Sequence, residues 1–148
     1  MRQSRAQAED HKFEAERNLR YCGSARVSLD VIHFRDDQLR ELDEKHVESL
    51  IRQFRVEGCR RENVKNHIPV LISQSCLEVA LRVSGLSAAA LLNNTNNGYR
   101  KLQLPRGSYL TCLHGKHRIQ AGREFLSPRE KWWVADVYLA GEIVHDWN

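Results

Sequence analysis

Hydrophobic and polar positions fall into short blocks along this chain, and the spacing within each block predicts its element. Val27, Leu29 and Val31 alternate with polar neighbours through Val27–Ile32, the period of a half-buried strand. Val47, Leu50, Ile51 and Phe54 follow at helical spacing, with Asp43 placed to cap the helix, Glu44 in its first turn and Gly58 as its stop. His67–Ile72 predicts a second strand, with Pro69 near its start, where a missing N–H is tolerated. Between Cys76 and Leu92, the positions of Leu77, Ala80, Leu81 and Val83 predict a helix that Gly85 splits in two. Asn93–Gly98 is exposed turn material. Tyr109–Leu113 then predicts a strand, and Ile119, Ala121, Gly122 and Phe125 a helix that ends at Ser127–Pro128. Trp132–Leu139 predicts a central strand rich in aromatic and β-branched residues. Its two tryptophans point to opposite faces: one belongs to the core, and the other is open to core packing, covering a helix or stacking a base. His33–Leu42 reads as a polar connection.

At 148 residues, 41% hydrophobic and 28% charged, the chain fits an ordinary globular domain with a sizeable core. Met1 to Arg20 is highly charged with few large apolar residues, so the expected division is a charged helix or tail over 1–22 and a single domain over 23–148. Four scattered cysteines without a Cys-x-x-Cys pair suggest reduced thiols in an intracellular protein, cytoplasmic or nuclear. No apolar run approaches the ~18 residues of a membrane span, and no secretory leader pattern is present.

Charge changes the picture more by its distribution than by its total. The net charge of +4 is mild, but His114–Lys131 holds five Lys/Arg against two Glu. At the front of that segment, the predicted strand runs into His114-Gly115-Lys116-His117-Arg118 and then into a helix. A glycine there permits a tight turn and close approach to the backbone. The helix start offers unpaired N–H groups and the positive end of its dipole, and Lys116, His117 and Arg118 add side-chain donors. This is the chemistry of an anion site. The same residues also fit a plain turn with solvated basic side chains, and spacing alone leaves both readings open. The spacing matches neither the Walker A loop nor the three-glycine dinucleotide fingerprint.

The order of elements, together with Asp43…Val47…Ser49-Leu50-Ile51, Ile68-Pro-Val-Leu-Ile72 and Gly115-Lys-His-Arg118, resembles the ParB/sulfiredoxin-like superfamily over about Val27 to Leu139. Gly115-x-His-Arg is similar to the sulfiredoxin signature, and Ala121 suits the ParB pattern. The chain also resembles uncharacterised fungal proteins with a His-Gly-basic-His-Arg motif followed by Trp-Trp. The resemblance implies an α+β fold, a small mixed β-sheet packed with helices, and a nucleotide site. Gly115 and the backbone N–H groups of Lys116 to Arg118 would hold phosphates, and His117 and Arg118 would contact phosphate oxygens directly. Ser49 matches a serine lining the sulfiredoxin pocket, and His46, one turn earlier, stands where that family has a phosphate-side lysine. Arg35 falls within one residue of a family arginine near the phosphates. The implied cofactor is a nucleoside triphosphate, CTP or ATP, with Mg²⁺.

Departures from the family narrow the chemistry. Lys116 stands where sulfiredoxin has its catalytic cysteine, which excludes sulfinic acid reduction in its known form. Cys112, four residues earlier, reads as a small buried hydrophobe. The second ParB motif for CTP hydrolysis is not found after the core, in Ala140–Asn148. No catalytic base is recognisable among Glu44, Glu48, Glu57 and Glu124, so weak NTPase or phosphotransfer activity stays open. A zinc reading of Cys112, His114 and His117 lacks a fourth ligand. Two other classes remain: a nucleic-acid-binding or nuclease-like module using Arg52, Arg55, Arg60 and Arg61, with DNA as partner, and a protein-interaction domain or homodimer that has lost the nucleotide.

Overall fold

The computed structural model describes residues 19–93 and 98–140. Five strands, β1 (Leu19–Ser28), β2 (Ile32–His33), β3 (Ile68–Ile72), β4 (Leu110–Cys112) and β5 (Trp132–Ala140), form one sheet in the order β1-β5-β3-β4-β2. The sheet is mixed. The β1–β5 and β3–β4 pairs are antiparallel, and the β5–β3 and β4–β2 pairs are parallel. Among the described residues five α-helices accompany it: α1 (Asp36–Arg40), α2 (Glu44–Glu57), α3 (Gln74–Ser84), α4 (Ala88–Leu92) and α5 (Lys116–Phe125). The α+β class read from the sequence is the one observed.

Helix α2 forms where its pattern places it. Asp43 accepts a hydrogen bond from the Lys45 N–H at 3.0 Å and caps the start, and Gly58 ends the helix at φ +82°. Val47, Leu50 and Phe54 are its buried face. That face packs on α5 and the sheet through Trp133, which is fully buried, with the Phe54 ring 5.8 Å away. The Trp133 indole N–H donates to the Asn66 carbonyl at 2.8 Å, so the buried donor is satisfied. Gly122 lets α5 lie close, since a Cβ there would stand 3.1 Å from Leu29 and 3.2 Å from Trp133. Gly85 separates α3 from α4, as its position predicts.

Three expectations change. The strand read over Val27–Ile32 is really the end of β1, a 3-10 turn (Leu29–Val31) and the short β2. Ser28 caps that turn by accepting from the Asp30 N–H at 3.2 Å. The Arg123 guanidinium on α5 then takes up the carbonyls of Leu29, at 3.0 Å, and of Ile32. The chain leaves the ladder because a side chain some ninety residues away in sequence satisfies its carbonyls instead. Second, His33–Leu42 is no plain connection but contains α1. Third, the division at residue 22/23 runs through β1, whose Leu19, Arg20 and Tyr21 pair with Ala140, Leu139 and Tyr138. The charged segment over 1–18 and the centre of the Asn93–Gly98 turn lie outside the described residues.

Candidate functional site

Where β4 gives way to α5, Gly115 turns the chain at φ +93°, a left-handed conformation that glycine alone adopts without strain. Space is short as well: a Cβ on Gly115 would stand 2.6 Å from the Ile68 Cδ1. Gly115→Ala is therefore expected to cost about 1–3 kcal/mol of stability. An unchanged midpoint in urea unfolding would show that the turn tolerates a side chain. The first backbone bond into α5 runs from the Ile119 N–H to the Gly115 carbonyl at 3.1 Å, and no side chain caps the helix start. The N–H groups of Lys116, His117 and Arg118 thus have no acceptor among the described residues, at the positive end of a ten-residue helix.

A cleft of about 430 Å³ lies over this helix start. It is walled by Gly115, Lys116, His117 and Arg118 from the loop and α5, by His46 and Leu50 from α2, and by Arg35, Asp37, Gln38 and Glu41 in and around α1. Six of the seven residues predicted for the nucleotide site meet here. The seventh, Ser49, is exposed on α2 and does not line the cleft. A step of three residues turns about 60° short of a full helical circle, whereas four overshoot by about 40°. Beside His46, Leu50 takes the place that i, i+3 spacing offered to Ser49.

The charges in the cleft are only partly paired off. Lys116 Nζ lies 3.4 Å from Glu41 Oε2, whereas Arg35 Nε is 3.6 Å from an Asp37 carboxylate oxygen and remains a buried donor without a hydrogen-bond partner. Arg118 has no carboxylate or hydrogen-bond acceptor among the described residues, although it is half-buried. Burial holds its guanidinium below its ordinary value, and only the Cys59 thiol offers a weak opposing influence. A half-shielded cation without an anion is costly, and the cleft can hold that anion.

His117 departs from its expected role. Its Nε2 accepts the Asp43 N–H at 3.0 Å, tying the start of α2 to the start of α5, so this nitrogen cannot donate to a phosphate. The ring must be protonated at Nδ1 for that bond to exist. The His46 ring sits 4.4 Å away, centroid to centroid. Burial first, then His46 and Lys116, push the His117 pKa below the usual histidine value. The neutral ring is thus the folded form. Its contribution to stability is full above the unfolded value of 6.5 and is lost as pH falls through the lower folded value. His117→Gln, which keeps an acceptor but does not titrate, should lose less stability than wild type between about pH 7.5 and about pH 5.5. Parallel losses in both proteins, read as urea midpoints, would remove this role.

Gln38 is one cleft residue that sequence reasoning missed, along with Asp37 and Glu41. Buried on the inner side of α1, Gln38 accepts the Arg35 N–H at 2.7 Å through Oε1 and donates to the Cys112 carbonyl at 3.0 Å through Nε2. It thereby clamps α1, and Arg35 with it, to β4. Cys112 itself is fully buried, its Sγ donating to the His114 carbonyl at 3.3 Å. Burial pushes the thiol up to about 11, so it is no nucleophile.

Elsewhere, Ser24, Asp136 and His67 assemble the residue types of a hydrolytic triad without its geometry. The Ser24 hydroxyl donates to Asp136 Oδ1 at 2.6 Å, and His67 Nδ1 meets the same oxygen at 2.9 Å. His67 Nε2 bonds the Glu62 carbonyl at 3.1 Å, so the histidine is placed to hold the strands rather than to activate the serine. The alternative arginine cluster is dispersed too. Arg52 and Arg55 are exposed on α2, and Arg60 Nε donates to the Glu57 carbonyl at 3.4 Å. Arg61 is committed to the Glu130 carbonyl at 2.6 Å and to the Glu130 carboxylate at 3.3 Å. No group of three or more His, Cys, Asp or Glu side chains suited to a metal occurs among the described residues.

The family model described as "Protein of unknown function (DUF3723) N-terminal domain" matches residues 20–147. The chain belongs to this family. The match takes in all five strands of the DUF3723 N-terminal domain except the first residue of β1, and the whole cleft. No curated protein matches the sequence. Among solved structures, the C-terminally truncated chromosome-partitioning protein ParB from Caulobacter crescentus, complexed with CTP-γ-S, aligns with a TM-score of 0.41 and 15% identity. The alignment covers 84% of this chain and 52% of that one, so the DUF3723 domain spans about half the length of the ParB chain. No helix among the described residues is long and apolar enough to cross a membrane.

Proposed function

We propose that the cleft at the start of α5 binds the phosphates of a nucleoside triphosphate, CTP or ATP, with Mg²⁺. Arg118 carries the reading. It is a half-buried guanidinium without an acidic partner among the described residues, set beside three open N–H groups of a helix start. Lys116 already faces Glu41, whereas Arg35 Nε is a buried donor without an acceptor, so a bound anion would be drawn to Arg118, Arg35 and the backbone. The cleft volume of about 430 Å³ falls in the range of small-molecule sites. The likeness of Gly115-x-His117-Arg118 to the sulfiredoxin signature, with Ala121 suiting the ParB pattern, points the same way.

In this reading Gly115 admits the phosphate to the backbone, the N–H groups of Lys116 to Arg118 donate to its oxygens, and Arg118 clamps it. Arg35, held through Gln38, supplies a second guanidinium from across the cleft. His117 orders the loop by joining it to α2 instead of grasping the ligand through Nε2. The chemistry assigned is binding, since no side chain in the cleft stands out as a base for water or an acceptor hydroxyl. Calorimetric titration with CTP, ATP, GTP and inorganic triphosphate, each with Mg²⁺, tests it. Binding of inorganic triphosphate along with at least one nucleotide is the expected result. Failure of all four to bind the folded protein would refute the proposal.

A further inference from the structure

Beyond the far end of α5, the structure gathers a second set of cations around Trp132. Its indole is sandwiched between two guanidinium groups, Arg26 at 3.7 Å on one side and Arg61 at 3.4 Å. Arg61 has Glu130 to balance it, but Arg26 has no carboxylate partner among the described residues. Arg26 Nε and Trp132 Nε1 are both buried N–H donors without an acceptor. Beside them lies a recess of about 250 Å³, whose charged lining residues are Arg26, Lys101, Arg129 and Lys131, with no acid among them.

The fold builds this concentration deliberately from three separate segments. Residues 100–102 run along β1, the Arg26 N–H donating to the Arg100 carbonyl at 2.8 Å and the Leu102 N–H to the Arg26 carbonyl at 2.9 Å, which sets Lys101 beside Arg26. Arg129 lies in the 3-10 turn Pro128–Glu130, which leads through Lys131 into Trp132. Like charges brought together at a cost of mutual repulsion are stabilised by an anion. At about 250 Å³ the recess is smaller than sites that enclose a small-molecule ligand, so it suits one group of a larger molecule. Both faces of Trp132 are already covered by guanidinium groups, so it cannot stack a base. What remains is a cationic rim with donors for oxygen anions, which fits the densely charged sugar-phosphate strand better than the sparse carboxylates of a protein surface.

We propose that this recess and its rim bind the phosphodiester backbone of a nucleic acid, without reading its sequence and independently of the cleft at Arg118. The residues are not the Arg52–Arg61 cluster that the sequence offered: only Arg61 takes part, as a support for Trp132.

Fluorescence anisotropy with labelled DNA duplexes of two unrelated sequences tests the assignment. Wild type should bind both with similar affinity, and raising salt from about 50 to about 200 mM should weaken binding roughly 40- to 150-fold if three or four phosphates are engaged. Lys101→Glu with Arg129→Glu should weaken binding at least about 10-fold at the lower salt, while Arg118→Ala should leave it unchanged. Both substituted side chains are exposed, and Lys101→Gln with Arg129→Gln, which removes charge without reversing it, should show the same direction with a smaller loss. No duplex binding at low salt, binding indifferent to the charge variants, or binding abolished by Arg118→Ala would overturn the proposal. So would polyglutamate competing as well as DNA, which would make the rim a site for acidic protein.

Discussion

Arg118→Ala should lower affinity for a nucleoside triphosphate by about 10- to 100-fold while leaving the fold intact. The size follows from removing one charge-assisted interaction, about 1.5–3 kcal/mol. The fold should survive because Arg118 makes no hydrogen bond or ion pair with another described residue, so its removal orphans nothing and lifts a desolvation cost. Lys116→Ala should do less, since Lys116 already spends its charge on Glu41. Arg118→Lys should recover only part of the loss, because an ammonium lacks the planar fork that engages two phosphate oxygens. Calorimetry on the three variants, with urea midpoints beside it, checks the order. Equal losses for Lys116→Ala and Arg118→Ala would mean that the cleft works by its summed charge rather than through the unpaired guanidinium.

Trp133→Ala should bring the largest loss of stability, about 3–5 kcal/mol, a major part of the 5–15 kcal/mol that holds a typical domain. Trp133 is fully buried where β5, α2 and α5 meet, its ring beside Phe54 and its N–H on the Asn66 carbonyl. Truncation would open a cavity and orphan that carbonyl. Trp132→Ala should cost less, because its indole packs against two guanidinium groups rather than core side chains and its N–H has no partner to lose. Chemical unfolding of the two variants decides this. Comparable losses would mean that the Arg26–Trp132–Arg61 stack is a second core rather than a surface feature.

What could be read from the sequence was whatever local periodicity carries. Asp43, the Val47–Leu50–Phe54 face and Gly58 defined α2 because cap, stripe and stop are all near neighbours. Gly115 and its basic successors marked the strand-to-helix turn for the same reason. Helix α1 escaped because its buried residue is Gln38 while Leu39 is 54% exposed, so no apolar stripe announces it. The break after β1 escaped because Arg123, at the other end of the chain's folded core, causes it. In the cleft, the arrival of Arg35, His46 and Gly115–Arg118 at one place was anticipated through family likeness. Their division of labour was not. Which cation is neutralised depends on Glu41 meeting Lys116, and which nitrogen of His117 is occupied depends on Asp43. The Glu41–Lys116 and Asp43–His117 pairings span the chain and leave no trace in local spacing.

The most direct measurement is the backbone amide NMR spectrum of the protein titrated with Mg²⁺ and CTP or ATP. The amides of Lys116, His117 and Arg118 should move first and furthest, with Arg35 and His46 following, and Arg118→Ala should suppress the change. Shifts confined to residues around Trp132, or none at saturating nucleotide, would contradict binding at the cleft.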